Sequence, residues 1–135
     1  MSFVNKQPFG NEGDQLVGAA MEVYNELGFG MSEEIYQEAL ERELFERGVP
    51  YESQRRLAVI YKGKPLQKTY IPDLFVFEEN IVELRAAKEL LPEFEAQLMN
   101  YLRVTRKPVG YLINFGKPGE LDWKRFLLSE DLENK

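Results

Sequence analysis

The chain has 135 residues, 44% hydrophobic and 30% charged, with 17 basic against 23 acidic side chains and a formal net charge of −6. That length fits one compact domain spanning 1–135, able to bury a core without disulfides or structural metal. Cysteine and histidine are both absent, which excludes a disulfide framework, thiolate or imidazole metal sites, a cysteine nucleophile and a Ser-His-Asp triad. Chemistry must then run on carboxylates, Lys/Arg, Tyr, Ser/Thr, Asn/Gln and borrowed cations.

The acidic total argues at first against nucleic acid as a partner. The charge is uneven, however. Residues 1–52 carry 3 basic and 11 acidic side chains, whereas residues 53–125 carry 13 basic and 9 acidic ones. The centre is therefore mildly basic, either as solvated faces or as a phosphate-facing surface. Met1 to Pro8 lacks the basic and apolar regions of an export signal, and no apolar run reaches the ~18 residues of a membrane span. The expected compartment is the cytoplasm, with no membrane partner. Residues 1–12 and 130–135 are expected to fray, leaving an ordered core over about 14–128.

Helical spacing of Leu16, Val17, Ala20, Val23, Tyr24 and Leu27 predicts a first helix from Asp14, as N-cap, to a stop at Gly28. A second helix is expected from about Glu33 to Arg47, with Ser32 as N-cap and Gly48 and Pro50 ending it. Strands follow at Leu57 to Tyr61 and Leu66 to Ile71, around a turn at Lys62-Gly63-Lys64. Asp73 to Phe77 and Ile81 to Arg85 read as two more, joined by a hairpin loop at Glu78-Glu79-Asn80. Pro92 opens a helix that ends before Pro108. Val109 to Asn114 is a buried strand, and Trp123 to Leu128 is a last strand or short helix. The order α-α-β-β-β-β-α-β-β defines an α/β fold, with a mixed central sheet flanked by helices.

The second hairpin gathers charge. If Phe77 and Ile81 flank its loop, Phe75 faces Glu83 and Asp73 faces Arg85, and alternation puts Asp73, Glu83 and Arg85 on one face. Opposed Cβ atoms lie ~5 Å apart and diagonal ones ~7 Å. Two carboxylates could then share one hard cation, with a guanidinium beside them. A one-residue slip would destroy the arrangement. The alternative is a plain ladder in which Asp73 pairs with Arg85, worth ~0–1 kcal/mol. The apolar neighbours Phe75, Phe77, Ile81 and Leu84 favour a site.

Several motifs carry a family resemblance. Residues Gly30 to Tyr36 read G-x-x-E-x-x-Y. Ile71-Pro72-Asp73, then V-E-L-R at 82–85, E-A-Q-L-M-N-Y-L at 95–102 and G-Y-L-I-N-F-G at 110–116 follow in order. Over about Asp14 to Phe126 the chain resembles the small bacterial GxxExxY proteins, a branch of the PD-(D/E)XK nuclease superfamily. The resemblance implies a restriction-endonuclease-like core and a nuclease that hydrolyses phosphodiester bonds of DNA or RNA with Mg²⁺ or Mn²⁺. Asp73 and Glu83 would be metal ligands, assisted by the Leu84 carbonyl, and Glu33 would add a helix carboxylate. Gln97 and Tyr101 match Q-x-x-x-Y, and their i, i+4 spacing puts them on one helix face. Tyr36 reads mainly as core, and Gly30 as serving its loop. Many nucleases of this superfamily dimerise, so a homodimer stays open.

The superfamily's catalytic Lys is Arg85 here. Arg stays charged and cannot act as a base, although it can orient phosphate or stabilise negative charge. The resemblance therefore leaves two outcomes: a nuclease of weak activity, or a silent relative that binds nucleic acid or a protein partner. Lys88 could substitute by reaching back from its loop. The family pattern has His where this chain carries Tyr24 and Phe94.

Overall fold

The computed structural model describes residues 2–4 and 10–128. The elements in chain order are β1 (Ser2–Val4), α1 (Gly10–Leu27), α2 (Glu33–Glu46), β2 (Tyr51–Glu52), β3 (Leu57–Tyr61), β4 (Lys64–Tyr70), β5 (Leu74–Val76), β6 (Asn80–Arg85), α3 (Pro92–Thr105), β7 (Val109–Asn114) and β8 (Asp122–Leu127). Six strands form one sheet in the order β1-β8-β7-β6-β5-β2, and β3-β4 form a separate two-stranded sheet. No helix among the described residues is long and apolar enough to cross a membrane.

The central pair β6–β7 is parallel, and α3 makes the crossover between them. Both strands are buried almost throughout, as expected where helices cover both faces of a sheet. One face packs Leu74, Val82, Leu84, Tyr111 and Ile113 against Leu16, Ala20 and Val23 of α1 and Tyr36, Leu40 and Leu44 of α2. The other packs Phe75, Ile81, Leu112 and Phe126 against Leu98 and Leu102 of α3, with Leu57 and Tyr70 from the small sheet. Alternation along β5 and β6 thus feeds two cores from one hairpin.

Four expectations are corrected. The first helix begins at Gly10, so Asp14 is not its N-cap; Asn80 Nδ2 donates to Glu12 Oε1 at 3.1 Å and ties the extra turn to β6. Of the fraying expected at 1–12, Ser2–Val4 pairs with β8 and residues 10–12 are helical. The other positions there, with 130–135, lie outside the described residues. The short strands β1 and β2 join the central sheet, and Leu57–Tyr70 lies off it as a separate ribbon. The last concerns the hairpin. Its pairs are Leu74↔Val82, Phe75↔Ile81 and Val76↔Asn80, two residues from the expected register. Phe77 and Glu78 adopt φ of 53° and 67°, so Phe77 leaves the strand and the loop closes earlier. A shift of two preserves which face each side chain takes.

Candidate active site

Asp73 sits just before β5, next to Glu83 in the middle of β6, on the face covered by α3. The two carboxylates are cross-linked through backbone. The Asp73 N–H donates to Glu83 Oε1 at 3.0 Å, and the Leu84 N–H donates to Asp73 Oδ2 at 2.8 Å. Glu83 is only 9% exposed, and Asp73 is half-buried. The buried Tyr70 hydroxyl donates to Glu83 Oε2 at 2.6 Å. Its ring stacks on Tyr101 of α3 at 3.7 Å between centroids.

Burial and repulsion from Asp73 push the Glu83 carboxyl up to about 7, against the opposing pull of the Tyr70 and Asp73 hydrogen bonds and of Arg85. Burial, then the Glu83 charge, pushes the Tyr70 hydroxyl far above its ordinary value, so it stays protonated and donates. A cation placed between the carboxylates would reverse the repulsion that raises Glu83.

Arg85 does not pair with Asp73, as the ladder reading expected. Its Nη1 donates to the Leu84 carbonyl at 2.8 Å, and its Nη2 to Gln97 Oε1 at 3.4 Å. The guanidinium lies 5.1 Å from the centroid of the Phe94 ring. The two-residue register shift explains this: Arg85 moves past Asp73 toward the first turns of α3. Gln97 is exposed and meets the site through Arg85, while Tyr101 meets it through the Tyr70 ring.

Glu33 is exposed in the first turn of α2, behind the Ser32 cap whose Oγ accepts from the Ile35 N–H at 3.4 Å. Among the described residues no group of three or more acidic side chains is placed to hold a metal. One turn along α2, Gln37 Nε2 donates to the Asp73 carbonyl at 3.0 Å. Glu33 and Gln37 share a helix face, so α2 presents that face to the Asp73 backbone. Lys88 is exposed and lines a cleft of about 360 Å³ with Phe29, Gly30 and Met31. Tyr36 donates to the Gly28 carbonyl, accepts from the Met31 N–H at 3.2 Å and stacks on Phe115 at 4.6 Å. It holds the loop in which Gly30 has φ 105°.

Tyr70, Gln37 and Asn114 were not among the expected site residues. Tyr70 ends a strand three residues before Asp73, and Gln37 follows Glu33 by one helical turn; both spacings were visible. Asn114 is fully buried and holds the loop after β6, accepting from the Ala87 N–H at 2.9 Å and donating to the Ala87 carbonyl at 2.8 Å.

The donor set suits a hard divalent ion. Mg²⁺ takes one or two carboxylates and keeps several waters. Glu83 Oε1, Glu83 Oε2 and Asp73 Oδ2 each accept one hydrogen bond and retain a lone pair for a metal. The Leu84 carbonyl could join only if Arg85 shared or released it. A bound metal would supply charge neutralisation at phosphorus and a more acidic water.

A family model described as the PD-(D/E)XK nuclease superfamily matches residues 11–126. The chain belongs to that superfamily. Among solved structures it is similar to an alkaline exonuclease (LHK-Exo) from Laribacter hongkongensis, with a TM-score of 0.52 and 13% identity, over 93% of this chain and 75% of that one. A second structure of LHK-Exo, in complex with dAMP, gives a TM-score of 0.48 and 12% identity over 90% and 85% of the two chains. No curated protein matches. The first likeness is one of fold, and with the family match it bears out the mixed α/β, restriction-endonuclease-like domain.

Proposed function

We propose that the chain is a Mg²⁺- or Mn²⁺-dependent phosphodiesterase of the GxxExxY branch, acting on nucleic acid. The observation that carries this reading is the cross-strand coupling of Asp73 and Glu83. Two carboxylates face one space, and one of them is buried, titrating near neutrality and awaiting a counter-charge. Asp73 and Glu83 hold the ion. Tyr70 and Gln37 position them from opposite sides. Arg85, steered by Gln97 and resting on Phe94, orients a phosphate oxygen and offsets its charge. Tyr101 supports Tyr70, and Glu33 serves from the α2 face through water.

One observation favours a second reading, a silent nucleic-acid binder. Arg85 covers the Leu84 carbonyl, which places a fixed cation beside the metal site. Incubating the purified chain with Mg²⁺ or Mn²⁺ and end-labelled DNA or RNA separates the two. Cleavage that vanishes in Asp73→Asn and Glu83→Gln supports the phosphodiesterase. Intact substrate with both the wild type and Arg85→Lys leaves only the binder.

A further inference from the structure

We infer that the β3–β4 ribbon is an arm that grips the phosphodiester backbone of nucleic acid and leads it to the Asp73–Glu83 pair; this deepens the reading above. Residues 53–72 contain Arg55, Arg56, Lys62, Lys64 and Lys68 and not one acidic side chain, in a chain whose net charge is −6. The ribbon forms its own sheet, and every residue of β4 before Tyr70 is exposed. A lone two-stranded hairpin is marginal in water. This one is fixed at its base, where Leu57, Val59 and Tyr70 pack with Leu98 and Leu102 of α3.

Arg55 is engaged at that base. It pairs with Glu52 at 3.7 Å, donates to the Glu78 carbonyl at 3.3 Å and lies over Phe75 at 4.5 Å. The other four cations are different. Among the described residues none of Arg56, Lys62, Lys64 and Lys68 has an acidic partner. Four uncompensated positive charges on one thin ribbon fit a polyanion.

The arm also points at the site. Lys64 pairs with Tyr61 and Tyr70 with Leu57, so both lie on the face that Leu57, Val59 and Tyr61 take on β3, and Lys68 lies in the bulged stretch between them. Tyr70 ends on Glu83. Lys64 and Lys68, four residues apart across the bulge, stand at most ~13 Å apart, a reach that spans several charges of a strand carrying one per ~3.4 Å. Lysines act as point charges without reading bases, so the grip is independent of sequence. Tyr61, 60% exposed beside the turn, offers a ring on which a base can stack. Protection of a bare strand edge would account for charge there, but Pro65 and carboxylates would serve as well. A negatively charged ligand accounts as well for the single sign and for the absence of acidic partners. The paired carboxylates repel phosphate, so a nearby cationic track is what brings backbone to them.

The test is fluorescence anisotropy of the full chain, without metal, with labelled 20-nucleotide single-stranded DNA and RNA across ~50–200 mM salt. Lys64→Gln/Lys68→Gln should weaken both by about tenfold and lower the slope of log K against log salt by ~1.4, at ~0.7 per lost phosphate contact. Arg42→Gln/Lys117→Gln removes equal charge elsewhere and should leave binding and slope near wild type. Circular dichroism and melting temperature confirm that both variants fold. No wild-type binding, equal loss in the two double variants, or an unchanged affinity in the arm variant would each overturn the arm. So would an arm that retains only acidic peptide or anionic vesicles. The arm's fate is separable from that of the nuclease reading: an arm-dependent binder that never cleaves keeps the arm and loses the phosphodiesterase.

Discussion

The Tyr70 hydroxyl reaches Glu83 Oε2 at 2.6 Å from the last residue of β4, so the base of the exposed ribbon is bonded directly to the buried carboxylate of β6. The stacked ring of Tyr101 fixes Tyr70 from the α3 side. Ribbon, sheet and helix therefore meet at one hydrogen bond, and that bond favours the charged form of Glu83.

Tyr70→Phe keeps the stack and deletes the donor. A buried hydrogen bond to a charged group is worth ~1.5–3 kcal/mol, and its loss leaves Glu83 Oε2 without that partner. The variant should melt several degrees lower near pH 8, where Glu83 is ionised, and show a smaller deficit near pH 5. The Glu83 carboxyl should also titrate higher than in the wild type. Melting curves at the two pH values check the first point, and carboxyl chemical shifts in an NMR titration check the second.

Glu83 titrates near 7 against an ordinary value of 4.5. Its folded-state value is raised, so the native chain binds the extra proton between those two pH values. This group's contribution to stability then falls as pH rises from about 4.5 through about 7, and the penalty is complete above that. Glu83→Gln removes the penalty. The variant should match the wild type near pH 4.5 and melt higher near pH 8, with no metal present. A divalent ion needs the carboxylate, so Mn²⁺ should stabilise the wild type increasingly as pH rises through neutrality. It should do nothing for Glu83→Gln or Asp73→Asn. A Mn²⁺-induced shift that is flat with pH would contradict the assignment of Glu83.

Much of this site was legible because face, not register, carries the information. The sequence pattern placed Asp73, Glu83 and Arg85 on one face, and they share it, although the pairing is two residues from that expected. The missing signal was Phe77, a bulky residue at positive φ, which propensity argues against. The α3 contacts of Gln97 and Tyr101 follow from helix spacing. Their actual partners, Arg85 and Tyr70, depend on where a separate sheet comes to rest, and no local pattern encodes that. Strand β1 was invisible for the same reason. Three residues become a strand only because β8 offers them an edge. Residues 57–70 read correctly as a hairpin, since Lys62 and Gly63 both take positive φ in a two-residue turn. That the hairpin leaves the central sheet was not legible.

Arg85→Lys replaces a planar fork by a single ammonium. Lys offers one nitrogen where Arg85 reaches the Leu84 carbonyl and Gln97 with two, and it loses planar stacking on Phe94 worth ~0.5–1 kcal/mol. The variant should therefore melt slightly lower without metal. With the Leu84 carbonyl uncovered, its Mn²⁺-induced melting shift should exceed that of the wild type. Any metal-dependent cleavage should rise by about tenfold or more, because a lysine can share a proton with the attacking water. A smaller metal shift in Arg85→Lys would show that the guanidinium assists the ion rather than competing with it.

The loop that carries the chain from β6 to α3 is held by two residues on β7 and just beyond it. Asn114 bonds both polar atoms of the Ala87 backbone, and its Oδ1 also accepts from the Gly116 N–H at 3.1 Å. A Cβ at Gly116 would fall within 3 Å of the Ala86 and Ala87 backbone, closer than real Cβ contacts come. Asn114→Ala leaves the part-buried Ala87 N–H and C=O and the Gly116 N–H without this partner, at up to ~1–3 kcal/mol each. Asn114→Asp keeps the acceptor but opposes a carboxylate to the Ala87 carbonyl, so it should be no better near pH 8 and should recover partly at low pH. Gly116→Ala forces the loop outward, at ~1–3 kcal/mol or more. Because this loop launches α3, each change should also loosen Gln97 and Phe94 around Arg85. Chemical denaturation will measure the stability loss. Faster amide hydrogen exchange in α3's first turn, with β7 still protected, will distinguish a displaced loop from global destabilisation.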